Sequence, residues 1–371
     1  MKKIKVCHIS STRGRYDPWI QRKCSYLLKK GYKVSYLIND EQKNEKRDGV
    51  YIYSTGKVFS SRKERMVNGV NCLFVKAMRI DADIYQLHDP ELLRIAFALR
   101  KYGKKVVFDS HENYYLQIKE KNYIPKFLRK MIALTYWCFE TFVTKNIDGV
   151  VFPGTVTEYN PFEGRAKRFT FVNNVPCLDE IEFVEEDLEK ENAICYAGTL
   201  VEARGITNLV KAANLAGVTL YLAGSFSSEE YREELQSMKE WECVKYLGLV
   251  DRKEVYQMYS KSKIGMCTLL PVGQYDKSGN LPTKAYEYMA SKLPVVLSDF
   301  PYNRKMIEKY KFGIVVDPCD VDEIARVIRE LMGDAEACRL MGEHGEALIR
   351  NKLNFDIEGK NLIKMYDEIL D

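Results

Sequence analysis

Short apolar runs alternate with amphipathic stretches along the 371 residues. In the first half they fall at 4–8, 33–38, 50–53, 83–87, 105–108 and 149–152; in the second, at 193–196, 219–222, 243–246, 264–268, 293–297 and 313–316. Runs this short and mainly apolar predict strands, with 293–297 a buried one. Helical stretches between them then imply parallel sheets. Segment 18–30 sets Trp19, Ile20, Cys24, Leu27 and Leu28 at helical spacing, 91–102 is a second helix, and 320–369 is almost wholly helical. The expected class is α/β, and the length suffices for two domains. The junction falls near 171–183, FVNNVPCLDEIEF, before the acidic run EEDLEKE, which gives domains at 1–173 and 174–352. The last helix, within 353–371, carries Phe355, Leu362, Ile363, Met365, Tyr366 and Ile369 on one face and can pack on either domain.

One stretch joins this pattern to chemistry, 276–297, DKSGNLPTKAYEYMASKLPVVL. A polar run is followed by Pro282 where a helix starts, a position at which a missing N–H costs nothing. The helix, from Thr283 to Ser291, leads into the strand 293–297. Free N–H groups and the positive dipole end at such a helix start attract an anion. Lys284 adds a full charge in the first turn, and Glu287 lies one turn further in. On spacing alone, an ordinary strand–helix unit with a solvated Lys and Glu remains equally open.

NLPTKAYEYMASKLPVV also resembles the donor-site segment of glycosyltransferase family 4, retaining sugar transferases of the GT-B fold. The resemblance implies two Rossmann-like domains with parallel sheets facing across a cleft. Family members typically carry two glutamates eight residues apart here; the second matches Glu287, and the first would fall at Gly279. Ribose binding therefore carries over to Glu287. Contact with the transferred sugar passes to the backbone around Gly279, Asn280 and Leu281, with Pro282 and Thr283 opening the helix.

Four more segments fit the same family. In SSTRGRYDPW, after the first strand, Gly14 lies among Arg13, Arg15 and Asp17, and the family uses this loop for acceptor or donor phosphate. YQLHDPELL ends a strand with His88 and Asp89, which either shape the acceptor pocket or, for Asp89, cap the helix begun by Pro90. VVFDSHENY ends the next strand with His111, which the resemblance brings to the donor sugar. In CYAGTLVEARG, Gly198 and Arg204 match the family's diphosphate loop, while Thr199 replaces its first basic residue. A guanidinium donates in a fixed fork suited to a diphosphate, and Lys284 is expected to share that work. Leu249, between Gly248 and Val250, falls where the family holds the base through backbone atoms.

Charge adds a second theme. The net is +5, yet residues 1–173 hold 33 Lys and Arg against 17 Asp and Glu, and the rest hold 24 against 35. A basic half and an acidic half are expected to meet different partners. No nucleic-acid module is recognisable, so an anionic membrane surface or a lipid-linked or otherwise anionic glycan acceptor suits the basic half better. Segment 119–145 has Ile124, Phe127, Leu128, Met131, Cys138, Phe139 and Phe142 at helical spacing, with Lys121, Lys126, Arg129 and Lys130 at its start. A core-facing helix is the favoured reading, and a helix lying on anionic lipid the other. No apolar run approaches the ~20 residues that span a bilayer. Ten cysteines without a C-x-x-C pair, several in apolar runs, suggest reduced thiols and a cytoplasmic protein, with the inner face of the membrane as its alternative place of work. Four histidines without ligand spacing give no expectation of a metal.

The resemblance as a whole implies transfer of a sugar from a nucleoside diphosphate to an acceptor hydroxyl with retention, in bacterial polysaccharide or glycolipid assembly. It implies no metal or other cofactor, with His111, Arg204 and Lys284 closest to the chemistry. A sugar-nucleotide epimerase and a non-catalytic nucleotide- or membrane-binding subunit are the alternatives.

Overall fold

The computed structural model describes residues 3–121, 124–154, 160–181, 190–273, 275–277 and 279–371. Ser278, part of the junction and acidic run, and two residues of 119–145 lie outside them. The chain divides into two units: residues 1–174 with 355–371, and residues 175–354.

The first unit is built on an eight-stranded sheet ordered β3-β4-β2-β1-β5-β6-β7-β8. Its strands are β1 (Lys5–Ile9), β2 (Lys33–Ile38), β3 (Glu45–Arg47), β4 (Val50–Ser54), β5 (Ile84–Leu87), β6 (Lys105–Asp109), β7 (Gly149–Phe152) and β8 (Phe169–Phe171). All pairings are parallel except β3 with β4. The expected runs became strands because helices cover both faces: every residue of β5 is buried, as are most of β1, β2 and β6. β3 and β8 were not expected. Each has three residues, and β3 is wholly charged, which suits an edge exposed to water.

The second unit carries six parallel strands ordered β11-β10-β9-β12-β13-β14. These are β9 (Ala193–Ala197), β10 (Thr219–Ala223), β11 (Val244–Gly248), β12 (Ile264–Cys267), β13 (Val295–Ser298) and β14 (Gly313–Val316). Two Rossmann-like α/β units result. Each sheet has one point where the strand order reverses, between β1 and β5 in the first and between β9 and β12 in the second. The carboxyl ends of strands at such points are where open α/β sheets bind ligands. The loops singled out from sequence leave these strands: 10–17 after β1, 88–92 after β5, 198–204 after β9 and 268–282 after β12.

The last helix, Phe355–Leu370, packs on the first unit. Met365 lies against Gly149, the Tyr366 hydroxyl donates to the Gln86 side chain, and Glu358 accepts from the Asn173 N–H at 3.0 Å. Gly359 lets this helix approach Tyr26 of the Pro18–Lys29 helix so closely that a Cβ would stand 2.4 Å from the ring. Gly359→Ala should therefore destabilise the first unit by about 1–3 kcal/mol through overpacking. Chemical denaturation followed by fluorescence checks it, and an unchanged midpoint would contradict this close packing.

Candidate functional site

Two constellations sit at the two reversal points, one in each unit.

In the first unit, β1, β5 and β6 bring His8, His88 and His111 into a row. His8 Nδ1 is 2.9 Å from His88 Nε2, and His88 Nδ1 is 3.0 Å from His111 Nε2. Arg13 Nη2 lies 3.2 Å from His111 Nδ1. A guanidinium only donates, so His111 Nδ1 must accept. That fixes the row: His111 Nε2–H donates to His88, His88 Nε2–H donates to His8, and the buried His8 Nε2 has no hydrogen-bond partner among the described residues. All three rings are neutral, because burial takes His8 down to about 3, His111 down to about 4 and His88 well below its ordinary value.

Beneath the row lies a fully buried ion pair, Lys23 with Asp109. The Asp109 carboxylate also accepts from Gln86 and lies 3.3 Å from His88 Nδ1. Burial opposes ionisation of Asp109, yet Lys23 and then His111 hold it below the usual carboxylate range. Burial lowers Lys23 while Asp109 pulls it back, and its ammonium stands 4.9 Å over the Trp19 ring, which in turn packs 4.6 Å from His111. His88, Asp109 and His111 are spaced closely enough to hold a metal ion. Lys23 already neutralises the carboxylate, and a divalent ion there would face an ammonium a few ångströms away. The donor set therefore reads as an internal ion-pair network.

Several expected roles change here. His88 is fully buried, with His8, His111 and Asp109 against its ring nitrogens, so it orients His111 from within the fold. Asp89 makes no side-chain cap on the helical turn it precedes. Its carboxylate instead gathers the loop after β1, accepting from Ser10 Oγ at 2.7 Å and Ser11 N at 2.6 Å, and also from Thr12. Arg15 is neither a solvated turn residue nor an acceptor contact: it is buried and forked onto Asp40, with Glu45 and the Lys43 carbonyl completing its donors. Asp17 caps the Pro18–Lys29 helix through Ile20 N and pairs with Arg13. A Cβ at Gly14 would meet nothing, so no close approach requires a glycine there. His111, Arg13 and Asp89 do line one cavity of about 540 Å³.

In the second unit, Gly198 follows β9 with φ +139°, and a Cβ there would stand 2.5 Å from Lys284 Nζ and 3.2 Å from Arg204 Nη1. The missing side chain thus makes room for two cations. Tyr196 organises both: Lys284 Nζ stands 5.0 Å over its ring, and Arg204 Nη1 is 3.5 Å from its hydroxyl, which donates to the Thr199 carbonyl. Burial lowers Lys284, Arg204 pushes the same way, and Cys267 and Glu287 oppose. Neither cation has an ion-pair partner among the described residues. Lys284 lies in the first turn of the Thr283–Ala290 helix, with Pro282 at its N-cap. Gly279 and Asn280 precede it half-buried, and Leu281 is buried. Glu287 accepts from the Tyr259 hydroxyl at 3.0 Å, and Arg252 stands 3.6 Å from its other oxygen. Leu249 is exposed. Such a site can hold a diphosphate between two cations and a helix start, with a carboxylate one turn away.

Residues 179–348 match the profile of a family described as glycosyl transferases group 1. Sucrose-phosphate synthase of Thermosynechococcus elongatus superposes with a TM-score of 0.76 at 15% identity, over 99% of both chains. HepE of Anabaena, solved with UDP, gives 0.71 at 14% identity over 98% of this chain and 100% of its own; a glycosyltransferase of Rickettsia africae gives 0.73 at 13%, over all of both. The fold is that of the GT-B glycosyltransferases, and the profile match lies within the second unit. No curated protein sequence matches the chain.

Sequence reasoning missed several residues around these sites. Tyr196, Tyr259, His8 and Lys23 sit in apolar runs or helices and look like packing or surface residues. In this glycosyltransferase fold they hold the groups that were singled out.

The neutral histidines give the first unit an acid limit. Unfolded histidine takes a proton near 6.5, whereas folded His8 and His111 refuse one until about 3 and about 4. Their contribution is whole above pH 6.5 and is lost as pH falls below it. The slope is up to about 1.4 kcal/mol per pH unit for each ring. Denaturant midpoints between pH 6.5 and 5 should fall accordingly. His8→Asn, which keeps an acceptor near Nδ1, should flatten the fall by roughly a third. Midpoints independent of pH over this range would show that the rings are not buried neutral.

Proposed function

We propose that the protein transfers a sugar from a nucleoside-diphosphate donor to an acceptor hydroxyl, with retention at the sugar carbon. The observation that carries this reading is the pair Arg204 and Lys284, set without a carboxylate between them around Gly198 at a helix start. That arrangement is incomplete without an anion. HepE of Anabaena was solved with UDP and with UDP-glucose, which favours a nucleoside diphosphate over other anions. As the diphosphate leaves, charge grows on its oxygens, and two fixed cations with the first N–H groups of the Thr283–Ala290 helix stabilise it without reorganising. Glu287, already oriented by Tyr259, takes the ribose hydroxyls. Neither metal nor other cofactor is invoked, since the cations supply the positive charge.

The first unit takes the acceptor. His111, neutral and held in one tautomer by Arg13 and His88, offers Nδ1 as an acceptor when Arg13 turns to a ligand. A role in bacterial surface polysaccharide or glycolipid assembly, at the inner face of the membrane, accords with the basic first half.

Calorimetry with UDP and GDP tests the donor site. Arg204→Ala and Lys284→Ala should each cost about 2–5 kcal/mol of binding, as expected for loss of one partner of a buried charge contact. Unchanged affinity in both variants would remove the assignment.

Turnover tests the rest. A panel of nucleotide sugars should release free nucleoside diphosphate with one donor, and the product's anomeric proton coupling reports retention. His111→Ala should lower turnover at least tenfold with donor affinity nearly intact. Normal turnover would exclude His111 from the reaction.

A further inference from the structure

The Lys126–Thr144 helix does not show the face expected from its sequence. Its buried positions include Ala133, Glu140, Val143 and Thr144. Much of the apolar series expected to face the core points outward: Phe127 is 81% exposed, Met131 58% and Phe142 62%, as is the neighbouring Leu134 at 51%, while Ile124 and Leu128 are half-buried. These four fall at i, i+4, i+7 and i+15, a single stripe along the helix. Contiguous exposed apolar surface of this kind marks an interaction site. Lys126 and Lys130 are exposed beside the stripe's first turns, the distribution of an interfacial helix.

The same helix forms part of the cavity already described. Tyr136 and Phe139 line it with Met66 and Ile118, and Phe139 is itself exposed. Arg13, Arg62, Arg65, Arg94 and Lys121 line the same cavity. The carboxylates present are engaged by neighbours: Asp89 by the loop after β1, Glu91 by Ser11 Oγ at 2.8 Å and Arg65 Nε at 3.1 Å, and Glu112 by Gln117. Arg13 is itself paired with Asp17 and Arg65 with Glu91, and over the lining as a whole five cations stand against three carboxylates, so the cavity is formally basic.

We infer that this cavity and stripe together bind a phosphate-bearing lipid seated in an anionic bilayer, the phosphate among the arginines and the hydrocarbon passing over Phe139 onto the helix. An amphiphilic site calls for an amphiphilic ligand. A soluble anionic glycan would leave the stripe unexplained, and an uncharged lipid would leave the arginines so. No described helix is long and apolar enough to cross a membrane, so the contact is with its surface. That the lipid accepts a sugar rests on the proposed transferase activity; that it binds does not.

Farnesyl diphosphate and vesicles are the probes. The protein should co-sediment with phosphatidylglycerol vesicles and not with phosphatidylcholine ones. Phe127→Ser with Phe142→Ser, both at exposed positions, should cut the vesicle-bound fraction at least tenfold and leave farnesyl diphosphate affinity within twofold. Arg62→Ala with Arg94→Ala should weaken farnesyl diphosphate at least tenfold with UDP affinity and melting temperature unchanged. Binding of inorganic pyrophosphate as tight as that of farnesyl diphosphate would overturn the inference, because the apolar wall would then do nothing. So would competition between farnesyl diphosphate and UDP with loss of both in Lys284→Ala, which would place the probe in the second unit. Conversion of a dimer to a monomer by the two Phe substitutions, with vesicle binding unchanged, would assign the stripe to a second copy and overturn it likewise. Farnesyl diphosphate binding without any UDP binding would sink the transferase reading and leave this one standing.

Discussion

The first unit depends on one buried ion pair. Lys23 and Asp109 are both fully buried, and removing two ions from water costs several kcal/mol each unless their remaining hydrogen-bonding capacity is met. The surroundings meet it at one carboxylate oxygen, while the buried Asp109 Oδ1 has no hydrogen-bond partner among the described residues. Gln86 donates to the same carboxylate oxygen, Tyr366 on the last helix donates to Gln86, and the Trp19 ring faces the ammonium. The pair therefore ties β5, β6, the Pro18–Lys29 helix and the C-terminal helix to one point. It also sets the histidines: with the carboxylate committed to Lys23 and Gln86, the rings order themselves from Arg13 inward. The ion pair thus ties the last helix to the sheet, and Arg13 decides which nitrogen of His111 is an acceptor.

Much of this was legible in the chain, and what was missed follows a physical pattern. All twelve expected strands exist, their ends displaced by at most two residues; most are covered on both faces and so mainly apolar, while β4 and β11 alternate inward and outward positions. β3 and β8 escaped because an edge strand of three residues needs no such run. Among candidate site residues, Gly198 and Arg204 were singled out by the family resemblance and Lys284 by its place in the first turn of a helix, and the structure brings the three together. Lys23 was not singled out, because a lysine within QRKC on an amphipathic helix reads as solvated. Only the sheet beneath it, with Asp109, makes it internal.

The Lys126–Thr144 helix was misread for a different reason. Periodicity shows that a helix has an apolar stripe, not which way the stripe faces. Here the buried side includes Glu140, whose carboxylate pairs with Arg165 and accepts from Tyr136 at 2.9 Å. A satisfied buried glutamate costs the helix little, so its polar-looking side could turn inward and leave the phenylalanines outside. The Asp89 assignment failed similarly. Asp before Pro is a strong cap signal, but three hydroxyl-bearing residues after β1 offered the carboxylate more donors than the helix start did.

The two units also treat cations in opposite ways, and the contrast separates structure from function. Arg15 and Lys23, in the first, each meet a carboxylate held at hydrogen-bond distance, and their charge is spent within the fold. Arg204 and Lys284, in the second, lean on a tyrosine instead: Tyr196 offers a hydroxyl to one and a ring face to the other. A phenol and a π-face orient cations without neutralising them. The cost shows in Lys284, held below its ordinary value by burial and by its neighbour. A fold dominated by stability would place a carboxylate beside them, and Glu287, one turn along the same helix, is instead held by Tyr259. Keeping two cations fixed but unneutralised, in the half of the chain with the acidic excess, leaves a local site whose missing component is an anion.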